Sequence, residues 1–463
     1  MQFAQRKRRG VTSVLAMLYL VLFSTLAIGF YAAVTTAVQV STNETHGKRA
    51  MLSAESGMDF MRYIMGNVDI PVGTNPANMW SVLCTQVKAQ LDGTTNIGKV
   101  TLPTPSGSQM DIPTITLDSN GSSFSASLIQ DGQKVILKVT GTGPDPLVKR
   151  TVQMEFAQAQ RASAIFDYGV ASKSAISMSG NAKITGSAGA LSRGSVLSDT
   201  TNSTPLSMTG SPSISGDFSY TNPSASNKYG NGTIAGYSPT SGGFGDHVHG
   251  GVTAPEFPAV DTTAFAKYVQ NPLPAQVITA DPPSSRKSFQ NIIIKAGANP
   301  HFAANSDFKG VIYIETPNNV TFSGGATITG VIAVQNNPTG DSSSNSITFS
   351  GNVNHKGVET LDPATFGDLT KLTGSFVLAP KFDVVMKGNS NQVGGTMVTG
   401  KLDISGSAGA TVNGTVINLD DTGVNLTGTA DIIIASTGTT NYPAGVVFGT
   451  HFAPLPDTYQ EAQ

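Results

Sequence analysis

Val11-Thr-Ser-Val-Leu-Ala-Met-Leu-Tyr-Leu-Val-Leu-Phe-Ser-Thr-Leu-Ala-Ile-Gly-Phe-Tyr-Ala-Ala-Val-Thr-Thr-Ala-Val-Gln-Val40 contains no charged side chain and follows directly on Gln5-Arg6-Lys7-Arg8-Arg9-Gly10. As an α-helix, thirty residues reach about 45 Å, more than the roughly 30 Å hydrocarbon core of a bilayer. The lipid bilayer is therefore an expected partner. The basic cluster precedes the apolar run, so the residues before it are expected in the cytoplasm and everything after it on the far side of the cytoplasmic (inner) membrane, in a single pass. A cleaved secretory signal is the alternative, but the run is long and no clear small-x-small site follows a short apolar stretch.

The helical pattern does not stop at the end of the apolar run. From Glu44 to Met65 there is no proline, and Met51, Ala54, Met58, Met61 and Met65 recur at three- and four-residue steps, which makes one apolar stripe. The stripe suits packing against an adjacent domain or against a partner helix. Gly66-Asn67, with Pro71 beyond, supplies a stop. One helix over 11–66 is expected, apolar all round in its first half and amphipathic in its second.

The basic stretch ending in Gly10, the helix opened by Val11 and the distal Ala54-Glu55-Ser56-Gly57 together resemble type IV pilin-like proteins. The likeness is closer to the PilX N-terminal family and to the general secretion pathway protein K group. It covers about the first 70 residues. It implies a prepilin peptidase cutting between Gly10 and Val11, and other pilin-like subunits as helix partners. Most major pilins carry Glu at the fifth mature position, whereas Leu15 stands there in this chain. That departure points to a minor pilus or pseudopilus component, or to an anchored relative that never polymerises.

Composition limits the remainder. With 50 Gly, 13% charged residues and a net charge of -2, the 463-residue chain offers no basic field for nucleic acid. The lone Cys84 has no internal disulfide partner and reads as a small buried hydrophobe. Residues 67–160 divide into a connector, with a short helix over Asn78–Gln90, and four strands of period two. These are Asp111–Asp118, Ser123–Gln130, Lys134–Thr140 and Val148–Phe156. Asp131-Gly132 is expected to close a type I′ hairpin between the second and third.

From Ile165 onward short phrases repeat. Ile176-Ser-Met-Ser-Gly180 is echoed by Val320-Thr-Phe-Ser-Gly324, Ile347-Thr-Phe-Ser-Gly351, Leu402-Asp-Ile-Ser-Gly406 and Val424-Asn-Leu-Thr-Gly428. Imperfect repeats with short strands and tight turns predict a right-handed parallel β-helix (β-solenoid), in which stacking buries what no single turn of chain can bury alone. The fold class expected is thus α+β followed by all-β. The solenoid is assigned to 165–200 and 289–452, with a loose insertion at 201–288, a short helix over Asp261–Asn271, and a tail at 453–463. Disorder is the competing reading of the Ser/Gly/Thr-rich parts. It fits 198–250 but not apolar runs such as Ile292-Ile-Ile294 or Ile432-Ile-Ile434.

Chemistry-bearing motifs are few. His247 and His249 alternate, a spacing that would put both rings on one face of a strand as a metal edge, although the surrounding glycines favour a loop. Asp341 and Asp420-Asp421 could serve a Ca²⁺ site, which needs about six to eight oxygen ligands, but no EF-hand loop or Gly-Gly-x-Gly-x-Asp array accompanies them. Asp403, Asp431 and Glu315 stand isolated in sequence, without the paired carboxylates a glycan-cleaving β-helix enzyme would need. No phosphate loop, dinucleotide fingerprint or nucleophile elbow is present. A non-enzymatic protein without cofactor is expected, either pilus-associated or displayed on the envelope to bind carbohydrate or neighbouring proteins.

Overall fold

The structure, a computed structural model, describes residues 9–71, 74–99, 101–160, 163–270, 276–303, 305–387, 390–407, 409–420, 422–436 and 442–462. The chain forms two compact units, Met1–Gln160 with Thr450–Gln463, and Arg161–Gly449. The second is thus inserted in sequence between two segments of the first.

In the first unit, helix α1 spans Arg9–Gly66, 58 residues, about 87 Å at 1.5 Å per residue. Helix α2 covers Met79–Leu91. Strands β1 (Gln109–Thr116), β2 (Ser123–Asp131), β3 (Lys134–Thr142) and β4 (Lys149–Gln160) form an antiparallel meander. A fifth strand, Thr450–Ala462, pairs antiparallel with β4. A tail is expected from sequence over 453–463; instead Pro454 and Pro456 are accommodated because this is an edge strand, laddered to β4 and bridged on its other side among the described residues at Thr450 to Ile70. The β2–β3 turn also differs from expectation. Asp131 pairs with Lys134, so Gly132-Gln133 is the two-residue loop, and only Gly132 has positive φ, as a type II′ turn requires.

Alternation on β2 and β3 points Phe124, Leu128, Leu137 and Val139 toward the core, and the second half of α1 joins it there. Ala54, Met58, Met61 and Met65 are buried in this core, and Met51 packs partly against it. Two glycines permit the close crossing. A Cβ on Gly57 would sit 2.5 Å from the Phe124 ring, and one on Gly141 would sit 2.2 Å from the Ala54 nitrogen. Cys84 is buried in the same core, from α2.

The second unit is built almost wholly of parallel ladders. The repeated phrases lie in one column, in register. Val320–Phe322 pairs with Ile347–Phe349, which pairs with Val384–Met386, followed by Leu402–Ile404 and Val424–Leu426. Val424–Leu426 then pairs with Ile176–Met178, and that strand with Leu206–Met208. The stacking order therefore departs from chain order, because the late strands Val416–Asn418, Val424–Leu426 and Asp431–Ser436 lie on the early strands Val170–Ser172, Ile176–Gly180 and Lys183–Gly186.

The stretch 201–288, expected as a loose insertion, continues these ladders. Leu206–Gly210, Ser213–Ile214, Phe218–Tyr220, Thr233–Ile234 and Val248–Gly250 all pair in parallel, as does Gln276–Ile278 at the other end of the stack. Ser, Thr and Gly dominate the outward positions and turns, which makes the segment look unstructured in isolation. Its inward Leu206, Met208, Ile214, Phe218 and Ile234 are nevertheless buried. A helix over Thr263–Gln270 packs Phe265 and Val269 on Val311, Val331 and Leu378 outside the ladders. Asp261 accepts from the Thr263 amide at its start, at 2.9 Å.

The interior holds an aromatic column. Phe302 stacks on Phe322 with centroids 5.2 Å apart, and Phe322 on Phe349, also at 5.2 Å. Parallel register repeats one side chain per strand spacing of about 4.8 Å, close to ring-stacking distance.

Candidate functional site

Helix α1 carries the first candidate. It is the one helix among the described residues long and apolar enough to cross a membrane. Among the described residues its apolar half has no protein partner: Phe23 is 64% exposed and Tyr31 74%, whereas Met61 is 0% exposed. Leu15 belongs to the exposed part. Ser24, Thr35 and Thr36 donate their hydroxyls to carbonyls one turn back, which satisfies them inside the helix without water. Gly10 and Val11 fall in the first turn of α1. One helix thus presents two surfaces, one suited to lipid or to other apolar helices and one fixed on a sheet.

Around Cys84 a hollow of about 380 Å³ is lined by Trp80, Lys88 and Pro105. Burial pushes the thiol up to about 11, so at neutral pH it is a protonated, unreactive hydrophobe.

In the second unit, His247 ends a short turn and His249 lies in the strand Val248–Gly250. Both rings reach one carboxylate: His247 Nδ1 lies 2.7 Å from Asp217 Oδ1 and His249 Nε2 lies 3.4 Å from Asp217 Oδ2. Tyr237 stacks on the His247 ring at 5.1 Å. The histidines face together, but onto Asp217, and no group of three or more metal-ligating side chains is assembled among the described residues. Asp341 Oδ1 accepts from the Ser343 amide and hydroxyl, which holds its carboxyl below the usual range, and Asp421 lies outside the described residues.

Asp403 has close polar neighbours. Lys401 lies between it and Asp383, 2.9 Å from the latter, and Asn425 donates to Asp403 at 2.7 Å. Burial raises the Asp383 carboxyl, against the pull of Lys401. Burial alone would lower the Lys401 ammonium, but hydrogen bonds to Asp403 and Asp383 outweigh it and hold it above the ordinary lysine range. Lys401 and Asp403 alternate in sequence and so share a face; Asp383 joins them through parallel register, which the sequence does not display. Glu315 pairs with Lys295 at 2.6 Å, and burial raises the Asp431 carboxyl.

His355 is the buried titratable group that sequence spacing did not single out. It is 2% exposed, pairs in register with Ile328 and lies 4.0 Å from Phe376, ring to ring. Its Nε2–H donates to the Gly330 carbonyl at 2.7 Å and its Nδ1 accepts from the Gly394 amide at 2.8 Å. Desolvation lowers it to about 4, so the neutral ring bridges the strand Ala326–Val334 and the turn that follows Val393. The alternation Val353-Asn354-His355-Lys356 already places it on the inward side.

No family model and no curated protein matches the sequence. Among solved structures, the competence-associated pilin ComZ from Thermus thermophilus is similar at 12% identity, over 90% of this chain and 98% of that one, with a TM-score of 0.29. A likeness of that size carries no argument about this chain.

Proposed function

We propose that this chain is a non-enzymatic, membrane-anchored, pilin-like protein. It is a minor component of a type IV pilus or of a type II secretion-type pseudopilus, and it displays a β-solenoid outside the cytoplasmic membrane. The observation that carries this reading is α1 itself. Its first half is apolar and, among the described residues, unpartnered, its second half is packed through a Met stripe on an antiparallel sheet, and the Arg6–Arg9 cluster with Gly10 precedes its apolar run in sequence. A plain anchor has no need to continue as one rigid helix into its folded unit. A pilin-type stem does, because the same helix packs with sister subunits and carries the displayed unit.

The basic cluster supports a cytoplasmic N-terminus and an extracytoplasmic remainder. A prepilin peptidase, sister pilin-like subunits and the lipid bilayer are the partners this reading requires. The solenoid reading rests on the in-register column of repeated phrases. The non-enzymatic reading is supported by the engagement of Asp383, Asp403 and Glu315 with lysines.

Leu15 favours a second reading, in which the anchor never enters a filament and the chain is a surface-display or adhesion protein. Mass spectrometry of the N-terminus of the chain purified from membranes separates the two. N-methylated Val11 is the expected result. An intact Met1 supports the second reading, and a start beyond residue 35 overturns both. A Gly10→Trp variant should accumulate unprocessed; its normal maturation would count against the pilin pathway.

A further inference from the structure

An outward-facing row crosses four parallel strands of the second unit. Gln290 pairs with Lys309, Lys309 with Thr329, and Thr329 with Lys356. Alternation explains why they point outward, since their neighbours Phe289, Phe308, Ile328 and His355 fill the interior. The row floors a groove of about 620 Å³ whose wall is the segment 360–366. That volume is within the usual range of ligand sites.

The wall is fixed rather than loose. Asp362 caps the short helix Pro363–Phe366, accepting from the Ala364 amide at 3.0 Å and the Thr365 hydroxyl at 2.6 Å. Phe366 packs into the corner that Gly310 leaves open, where a Cβ would come within 2.8 Å of its ring.

Three features of the row select a ligand class. It is straight and runs across the strands, so it fits an extended chain. At the backbone the two lysines stand two strand spacings apart, about 9–10 Å, with Thr329 between them and Gln290 beyond Lys309. Lys309 has only a long contact to Asp307, 3.8 Å, and among the described residues Lys356 has no acid within ion-pair distance. Both cations are therefore available to an external anion. The single acid in the wall, Asp362, would oppose a polymer charged at every unit. It is compatible with one whose charges alternate with hydroxyl-bearing units.

We propose that this groove binds a linear, carboxylate-bearing glycan, with carboxylates at Lys309 and Lys356 and sugar hydroxyls at Gln290, Thr329 and Thr360. The inference goes beyond the anchoring of α1 and does not depend on it.

The test uses the full-length chain in detergent micelles with hyaluronan, whose glucuronate units alternate with neutral N-acetylglucosamine, as probe, read by isothermal titration calorimetry. Dextran serves as the neutral glycan and duplex DNA as the competing polyanion. Hyaluronan should bind at low salt and more weakly as salt rises. The K309Q/K356Q double variant should lose at least tenfold in affinity with an unchanged circular dichroism spectrum. Lys149→Gln, an exposed lysine of the first unit, should bind as wild type. Thr329→Val should lose a few-fold, because it removes one hydroxyl and no charge. The proposal is overturned if wild type fails to bind, if the double variant binds as tightly as wild type, or if Lys149→Gln weakens binding equally. It is also overturned if dextran binds as well as hyaluronan, or if duplex DNA binds more tightly with the same dependence on Lys309 and Lys356.

Discussion

The two units solve burial in opposite ways. The first lays one long helix on an antiparallel meander whose strands β1 to β4 are neighbours in sequence, so its core converges on a single crossing at Gly57 and Gly141. The second, among its described residues, has no helix in its interior and spreads its core along columns in which successive strands stack apolar side chains in register. One crossing concentrates sensitivity at a few positions. Columns distribute it, so that a single deletion is felt by two neighbours and no further.

The largest expected effect tests the crossing. Gly141→Val would drive a side chain into the Ala54 backbone, which cannot yield as a flexible side chain would. We expect a loss of more than about 4 kcal/mol, beyond ordinary overpacking. Hydrogen exchange read by mass spectrometry should show β1 to β4 and the second half of α1 unprotected, with the parallel ladders still protected. Loss of protection in both units together would erase the contrast.

Phe322→Ala tests the column. It removes a ring stacked on two others and should cost about 3–4 kcal/mol. Exchange should accelerate in the strands holding Phe302 and Phe349 but not in the strand Leu206–Gly210, far along the same column. Uniform acceleration would mean that the ladders unfold as one block.

His355 gives the second unit a pH dependence. Its folded value, about 4, lies below the ordinary 6.5, so the unfolded chain binds the extra proton between those limits. The contribution of the neutral ring is complete above pH 6.5, declines as pH falls through that window, and is lost near pH 4. The whole change is about 3 kcal/mol. Denaturant unfolding at several pH values should show this slope for the second unit, and His355→Gln should flatten it. An unchanged slope in that variant would assign the pH dependence elsewhere.

Asp217→Asn should have the smallest effect, below about 1 kcal/mol, because Asp217 and both histidines are partly exposed at the end of a ladder. Thermal unfolding measures it, and a large loss would mean that this cluster holds the end of the stack closed.

The same contrast explains what could be read from sequence. The Met51–Met65 stripe and the alternation in β1 to β4 are local patterns, so their elements were legible within a few residues of their ends. The repeated Ser-Gly and Thr-Gly phrases were legible as a column, but its order was not. Nothing in the chain signals that Val424 pairs with Ile176 rather than with a segment still to come. Residues 206–250 look disordered because burial there depends on a neighbouring strand brought from elsewhere in the chain. The histidine pair was visible and its partner was not, because Asp217 is brought to it by parallel pairing of Phe218 with Val248. Lys309 and Lys356 become a row for the same reason.

The central claim, that one continuous helix lives in two surroundings, is open to direct measurement. Nitroxide labels placed singly at Leu18, Leu22, Leu52 and Tyr63 of the full chain in liposomes report collisions with oxygen and with a water-soluble nickel chelate. Cys84, buried and held protonated, leaves the background unlabelled at neutral pH. We predict oxygen-dominated relaxation at Leu18 and Leu22 and nickel-dominated relaxation at Leu52 and Tyr63. Equal access to the nickel chelate at all four positions would contradict the account.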